Sequence, residues 1–235
     1  MRFFKICYYP TPTHNQYIAS GIAIYYYRCK KCKFIFIKAF DDFSNEEFQK
    51  YIYNDDYIVF DLDYNTKRPM YICDMLTNNL FLSKHLNILD YGCGNGNLVK
   101  MLQKNGYNIK GYDPFSKKFN RIPKNKFNLI ISFEVLEHTI NPYKSLKQMY
   151  DFLSKDGFII FSTLLQDKSI DELGVKWWYI SPRNGHVSIY AKESIQAVLK
   201  QIDAKLQIKS FNQNLHIIFT ENSKNSLYYL NNFLL

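Results

Sequence analysis

What this sequence lacks narrows it before any motif is found. No uninterrupted apolar run reaches the roughly 18 residues that a membrane-spanning helix needs. The opening "MRFFKICYYP" has one early positive charge, but its apolar stretch is too short for a secretory signal and no small-residue cleavage site follows. The chain therefore reads as cytoplasmic, with no membrane partner. Cysteine is present five times, as Cys7, Cys29, Cys32, Cys73 and Cys93, an odd and unevenly placed set that argues against a disulfide framework. Internal repeats and low-complexity linkers are absent. The formal charge is +9, yet the lysines are scattered and the one short basic cluster noted, "RCKKCK", surrounds two cysteines. That distribution suits a small anionic partner better than a nucleic acid, which usually meets a concentrated basic face. Glycine is also scarce. Of nine glycines, Gly92, Gly94 and Gly96 fall within five positions in "ILDYGCGNGNL".

The 235 residues, 47% hydrophobic, are enough for one α/β domain with a small appendage. Residues 1–40 are aromatic and strand-like, with "IAIYYYRCKKCKFIFI" reading as two short strands joined by the cysteine turn. Residues 41–85 read as helical. Ser44 and Glu47 have capping-box spacing in "SNEEFQKYIY", and a second helical stretch runs from about Pro69 to Lys84. From residue 86 onward, apolar strands alternate with amphipathic helices, the pattern of a mainly parallel, doubly wound sheet. The last two strands, "LQIKSF" and "LHIIFT", read as an antiparallel hairpin at one edge.

A buried strand has no packing use for three closely spaced glycines. They serve a backbone that turns sharply and approaches a ligand, ahead of a helix whose free N–H groups favour negative charge. The G-x-G-x-G spacing differs from the dinucleotide fingerprint, since Asn97 stands where that motif has its last glycine. Asp113, ending the next strand in "IKGYDP", suits a bidentate hydrogen bond to ribose hydroxyls. The bland alternative is a tight turn with a solvated aspartate.

"ILDYGCGNGNL", "GYDP", "FNLIISFEVLEHT" and "LSKDGFIIFST", in that order, resemble the motif series of class I S-adenosylmethionine-dependent methyltransferases over roughly residues 85–220. The resemblance implies a Rossmann-like α/β fold. It implies that Asp90, Tyr91, Gly92, Gly94, Asn95 and Gly96 border the methionine and ribose of the cofactor. Asp113 then takes the ribose hydroxyls, Pro114 and Phe115 line the adenine side, and Phe133 and Glu134 stand where cofactor and substrate pockets meet. One departure is visible. Only thirteen residues, "PFSKKFNRIPKNK", separate Asp113 from Phe127. They cannot hold the helix, strand and adenine-contacting acidic residue usual in the family, so a shortened sheet is expected.

Glu134, Glu137 and His138 cluster past a strand end, where ligands bind in open α/β sheets. His138 suits the role of general base for a hydroxyl, with Glu137 beside it, and a structural histidine is the alternative. A divalent-metal site is a third reading, because some quinone-biosynthesis methyltransferases with a similar Glu-x-x-Glu-His string use such an ion. Downstream, "VKWWYISPRNGHVSIY" gathers Trp177, Trp178 and Tyr179 as aromatic substrate walls. It adds Arg183 as a phosphate clamp and His186 as a second base candidate. That segment resembles methyltransferases encoded with bacterial surface-polysaccharide genes. Tyr51, Tyr57 and Arg68 stand where related enzymes close a helical lid, and Arg68 suits the carboxylate of S-adenosylmethionine. The N-terminal part resembles a degenerate zinc-ribbon lead-in, for which Cys7, His14, Cys29 and Cys32 would be the ligands, and a ribbon that has lost its metal is the alternative.

Together these features lead to an O-methyltransferase acting on a small anionic precursor of surface glycan, a nucleotide-linked or phosphorylated sugar or another capsule building block. The chain is expected as a monomer or homodimer, in three parts: 1–40, 41–85 and 86–235. An RNA methyltransferase is the runner-up, weakened by the absence of an Asn/Asp-Pro-Pro-Tyr-type string. A non-catalytic cofactor-binding protein is the third reading.

Overall fold

The computed structural model describes residues 2–10, 17–54, 61, 63, 66–221 and 223–232, with the backbone alone for 2–10, 17–22, 224, 225 and 232. His14 and Tyr57 lie outside the described residues. A six-stranded sheet forms the body, in the order β5-β4-β6-β7-β10-β9. Its strands are β4 (Asn87–Tyr91), β5 (Asn108–Tyr112), β6 (Phe127–Ser132), β7 (Leu153–Ser162), β9 (Leu206–Ser210) and β10 (Leu215–Thr220). Strands β5, β4, β6 and β7 run parallel, whereas β10 is antiparallel to both β7 and β9.

The inner parallel strands β4, β6 and β7 carry near-continuous apolar runs because both faces of the sheet are covered, whereas the edge strand β5 exposes Asn108 and Lys110. One face packs Ile88, Leu129, Ile131 and Ile160 with Leu98 and Leu102 of the helix Asn97–Lys104. The other packs Leu89, Ile130 and Ile159 with Leu146 and Met149 of Pro142–Phe152 and Ile195 and Leu199 of Lys192–Ile202. Residues 114–126 form neither helix nor strand, which leaves the sheet one strand short at the β5 edge. The fold is the Rossmann-like α/β arrangement expected from the sequence.

A second sheet of four antiparallel strands runs β1 (Arg2–Pro10), β2 (Tyr17–Arg28), β3 (Ile35–Ile37) and β8 (Ser188–Ile189). The two residues of β8 come from the long segment after β7, so the aromatic N-terminal part shares its sheet with the C-terminal part. All three textures of the sequence meet in one core: Ile24, Tyr26 and Ile35 pack with Phe48 and Ile52 and with Trp177, Tyr179 and Val187. Helix α1 (Asn45–Tyr51) starts at Ser44 with the capping box its sequence implies. Helix α2 (Lys67–Asp74) runs on as one π-helical stretch, Met75–Asn79, before β4.

Candidate active site

The chain leaves β4 for β5 on one side and returns from β5 past β4 to β6 on the other, so a crevice opens at the carboxyl end of β4. There the chain enters the glycine loop. Gly92 has φ +82°, and a Cβ on it would fall 2.3 Å from Val135 Cγ2. Gly96 has φ +76°, and a Cβ there would lie 2.5 Å from the Phe119 ring. Both positions exclude larger residues by conformation and by space.

Asp113 locks the loop from the next strand. Its Oδ2 accepts from the Gly94 N–H at 2.8 Å and its Oδ1 from the Phe115 N–H at 2.8 Å. Each carboxylate oxygen keeps a further lone pair, so hydroxyl donors can be added without breaking these bonds. Asp90, 4% exposed, faces the same crevice, and burial beside the Asp113 charge pushes its carboxyl up to about 8. A cationic ligand group would restore its charge. The crevice is a cavity of about 1170 Å³. It is bordered by Asp90, Tyr91, Gly92, Gly94, Asn95, Asp113, Pro114, Phe115, Phe133 and Glu134, ten residues singled out from sequence, and by Arg68 and His138.

Beyond β6 the backbone is strained. Glu134 has φ +55° without being glycine, and Ser162 at the end of β7 holds it. The Ser162 hydroxyl lies 2.8 Å from the Glu134 N–H and donates to Glu134 Oε1 at 2.7 Å. A 3-10 turn, Leu136–His138, follows. Successive side chains on such a turn point about 120° apart, so Glu137 and His138 cannot face the same way. His138 lines the cavity. Its Nδ1 sits 3.2 Å from the Gly185 carbonyl, which can only accept, so the proton is on Nδ1 and the lone pair on Nε2. Burial, with His186 adding to it, holds the His138 pKa well below the ordinary value.

The other two residues expected to be catalytic stand behind His138, not in the cavity. Glu137 is fully buried. Tyr179 donates to its Oε1 at 2.7 Å, its Oε2 has no partner among the described residues, and burial pushes its carboxyl up to about 8. His186, 8% exposed, gives its Nδ1–H to the Tyr179 carbonyl at 2.7 Å and meets the His138 ring edge-on at 5.1 Å. Glu137, His138 and His186 each offer a ligand atom within 4.8 Å of the others, the one such cluster found among the described residues.

The aromatic loop differs from expectation. Trp177 is buried in the core shared with the N-terminal sheet, Trp178 is 70% exposed, and Tyr179 is tied to Glu137, so none of the three lines the cavity. A loop that contributes a strand to a sheet turns its apolar side chains into that sheet. Arg183 is a buried strut and not a phosphate clamp: it donates to the Ile52 carbonyl at 3.0 Å and to Asn54 Oδ1 at 3.2 Å. Arg68 lines the cavity but is paired bidentately with Asp61 at 2.7 and 2.8 Å.

Cys29 and Cys32 sit in the turn between β2 and β3. Backbone N–H groups of Cys32 and Lys31 lower the Cys29 thiol, and burial raises that of Cys32. Of their proposed zinc partners, the Cys7 side chain and His14 fall outside what is described. Sequence reading missed Asn45, Gln49, Tyr53, Asn54, Lys117 and Lys144 as cavity walls. It also passed over Lys117, Lys118, Arg121, Lys124 and Lys126, an interrupted basic stretch with no carboxylate in it.

Residues 64–207 match the family described as "methyltransferase domain". A ubiquinone biosynthesis O-methyltransferase of Rickettsia canadensis is 26% identical over 133 residues, 47% of this chain and 56% of the relative. One of Glaesserella parasuis is 29% identical over 128 residues, 43% and 52% of the two chains. The chain thus spans about half the length of the curated relatives it matches. An O-methyltransferase family protein from Burkholderia thailandensis has the same fold, with a TM-score of 0.55 at 10% identity over 77% of this chain and 64% of that one. So does a plantazolicin methyltransferase in complex with a desmethyl analogue and S-adenosylhomocysteine, at 0.51 and 16% over 75% and 95%. The chain belongs to the methyltransferase-domain family and shares the Rossmann-like α/β fold of its structural neighbours.

Proposed function

We propose that this chain methylates an oxygen of a small anionic acceptor, with His138 as the general base. One observation carries the reading: His138, with its lone pair on Nε2, shares a cavity with Asp90, the glycine loop and Asp113. When bound, S-adenosylmethionine supplies a sulfonium methyl to that cavity. Asp90 meets its ammonium group, and Asp113 meets the ribose hydroxyls. Arg68, shared with Asp61, faces its carboxylate. The acceptor hydroxyl gives its proton to Nε2 as the new O–C bond forms, and the broken C–S bond's electron pair stays on sulfur. Positioning two reactants in one cleft supplies the rest of the catalysis.

Lys117 and Lys144 on the cavity wall support an anionic acceptor. A nucleotide-linked or phosphorylated sugar for surface polysaccharide, handled in the cytoplasm, rests on the sequence resemblance of the Trp177–Tyr190 segment. Calorimetry with S-adenosylhomocysteine, followed by methyl-transfer assays on nucleotide sugars, sugar phosphates and structured RNA, tests this. Binding with transfer to a sugar hydroxyl is expected. Transfer to RNA alone would favour the runner-up, and binding without transfer to any acceptor would favour a non-catalytic role.

The unpartnered Glu137 Oε2 favours a second reading, in which Glu137, His138 and His186 hold a divalent ion. Both histidines have Nδ1–H on backbone carbonyls and so present Nε2, the arrangement a metal ligand uses. Such an ion would polarise an acceptor oxygen. Metal analysis with and without Glu137→Gln decides it, and the same analysis with Cys29→Ser tests zinc at the cysteine turn.

A further inference from the structure

Between Asp113 and β6 the chain contains no carboxylate, and its cavity-lining residues there are Pro114, Phe115, Ser116, Lys117 and Ile122. An adenine base presents an amino donor and ring-nitrogen acceptors along its edge. An amide side chain matches a neighbouring donor and acceptor at once, as Asn and Gln do on N6 and N7 of adenine. None of those five side chains is an amide. A different part of the chain brings one to this segment: Asn45 and Gln49 of helix α1 line the same cavity, and Gln49 reaches the Phe115 backbone.

Gln49 is fixed at that place. Its Nε2 donates to the Phe115 carbonyl at 2.6 Å, two residues past Asp113. This bond uses one of the two amide protons and leaves the carbonyl oxygen and the second N–H for a ligand. The Phe115 ring is supported on the same side of the cavity. Phe48 of α1 meets it edge-on at 6.1 Å, and Tyr53, just past α1, lies 5.6 Å away at a tilt of 52°. Helix α1 and the turn just past it therefore bring a polar reader and two aromatic supports to Phe115, two residues beyond the ribose-facing aspartate.

We propose that helix α1 completes the adenine subsite, with the base lying on Phe115 and Tyr53 and Gln49 reading its edge as a specificity-determining residue. The inference rests on the cofactor reading above. A base linked to a ribose held by Asp113 begins within two residues' reach of Phe115, and an amide there replaces a carboxylate that the short segment does not contain. Arg183 has a consequent role. By bonding to Ile52 and Asn54 at the end of α1, it holds this reader in register with the glycine loop.

The test is calorimetry on the full chain with S-adenosylhomocysteine and with S-inosylhomocysteine, in which the 6-amino donor is replaced by oxygen. Wild type should prefer the adenine form by about tenfold, the discrimination of one good bidentate amide pair. Gln49→Ala should lose that preference by weakening the adenine form alone, and Phe115→Leu should weaken both ligands. Gln49 is exposed on its helix and alanine is a good helix former, so an unchanged melting curve is expected as the control for folding. Full preference retained in Gln49→Ala, or lost only in Asn45→Ala, overturns the assignment to Gln49 while the cofactor reading stands. A wild-type chain that binds neither ligand overturns the cofactor reading itself.

Discussion

The Nδ1 of His138 and the carbonyl oxygen of Gly185, 47 residues apart in sequence, lie 3.2 Å from each other. That contact decides which nitrogen of the ring carries the proton. It leaves Nε2 as the lone-pair nitrogen of a neutral imidazole, because burial and the neighbouring His186 hold the pKa down.

Replacing His138 with Gln keeps a polar side chain of similar reach but removes the base. The turnover number should fall by about 10²–10⁴, the range for a positioned acid–base group. S-Adenosylhomocysteine affinity, measured by calorimetry, should stay close to wild type. Full turnover in this variant would remove His138 from the chemistry.

Gly92→Ala introduces a Cβ at φ +82°, 2.3 Å from Val135 Cγ2. The backbone strain alone is worth roughly 1–3 kcal/mol, so the denaturant midpoint should drop and cofactor binding should weaken with it. Adding Val135→Ala relieves the clash and not the dihedral, so the double variant should recover only part of the loss. Complete recovery would mean that space, and not φ, dictates glycine here.

Asp90 sets a pH dependence of stability. Its folded-state value of about 8 lies above the ordinary carboxyl value. Across the window between them the folded chain holds a proton that the unfolded chain has released, so stability must fall as pH rises through it. The melting temperature of the ligand-free protein should therefore decline from about pH 5 to about pH 8, and Asp90→Asn should reduce that slope, leaving the share of Glu137, whose buried carboxyl is likewise pushed up to about 8. The same variant should bind S-adenosylmethionine more weakly. A slope unchanged by Asp90→Asn would assign the dependence to other groups.

Tyr26 connects the N-terminal sheet to the loop behind the base: its hydroxyl donates to the His186 carbonyl at 3.0 Å across 160 residues. Tyr26→Phe should cost about 1–3 kcal/mol in chemical denaturation, as for a buried hydrogen bond with one partner removed. If the N-terminal sheet positions Gly185 and thereby His138, turnover should fall while cofactor affinity holds. A stability loss with unchanged turnover would make the sheet a purely structural support.

Much of the α/β body was legible because its signals are local. The apolar runs of β4, β6 and β7, the helical spacing of Asn97–Lys104 and Lys192–Ile202, and the Ser44/Glu47 cap each depend on neighbours within a few residues. The thirteen-residue gap after Asp113 foretold a missing strand for a plain reason of length. The loop after β7 was not legible. Its strand β8 has two residues, too few for any periodicity, and in irregular backbone the direction of Trp177 or Arg183 follows from no repeat. The basic residues of 117–126 escaped because Lys117 and Lys118, Arg121, Lys124 and Lys126 are separated by uncharged residues.

The sequence by itself determined that a sharply turning, glycine-lined strand end would meet an aspartate from the next strand, since spacing and strand order force both to one edge of the sheet. Only the tertiary structure decided which of Glu137, His138 and His186 faces the cavity. That choice depends on contacts between segments 42 to 160 residues apart, Tyr179 on Glu137, Gly185 on His138 and Tyr26 on His186, and such pairings leave no mark on local pattern.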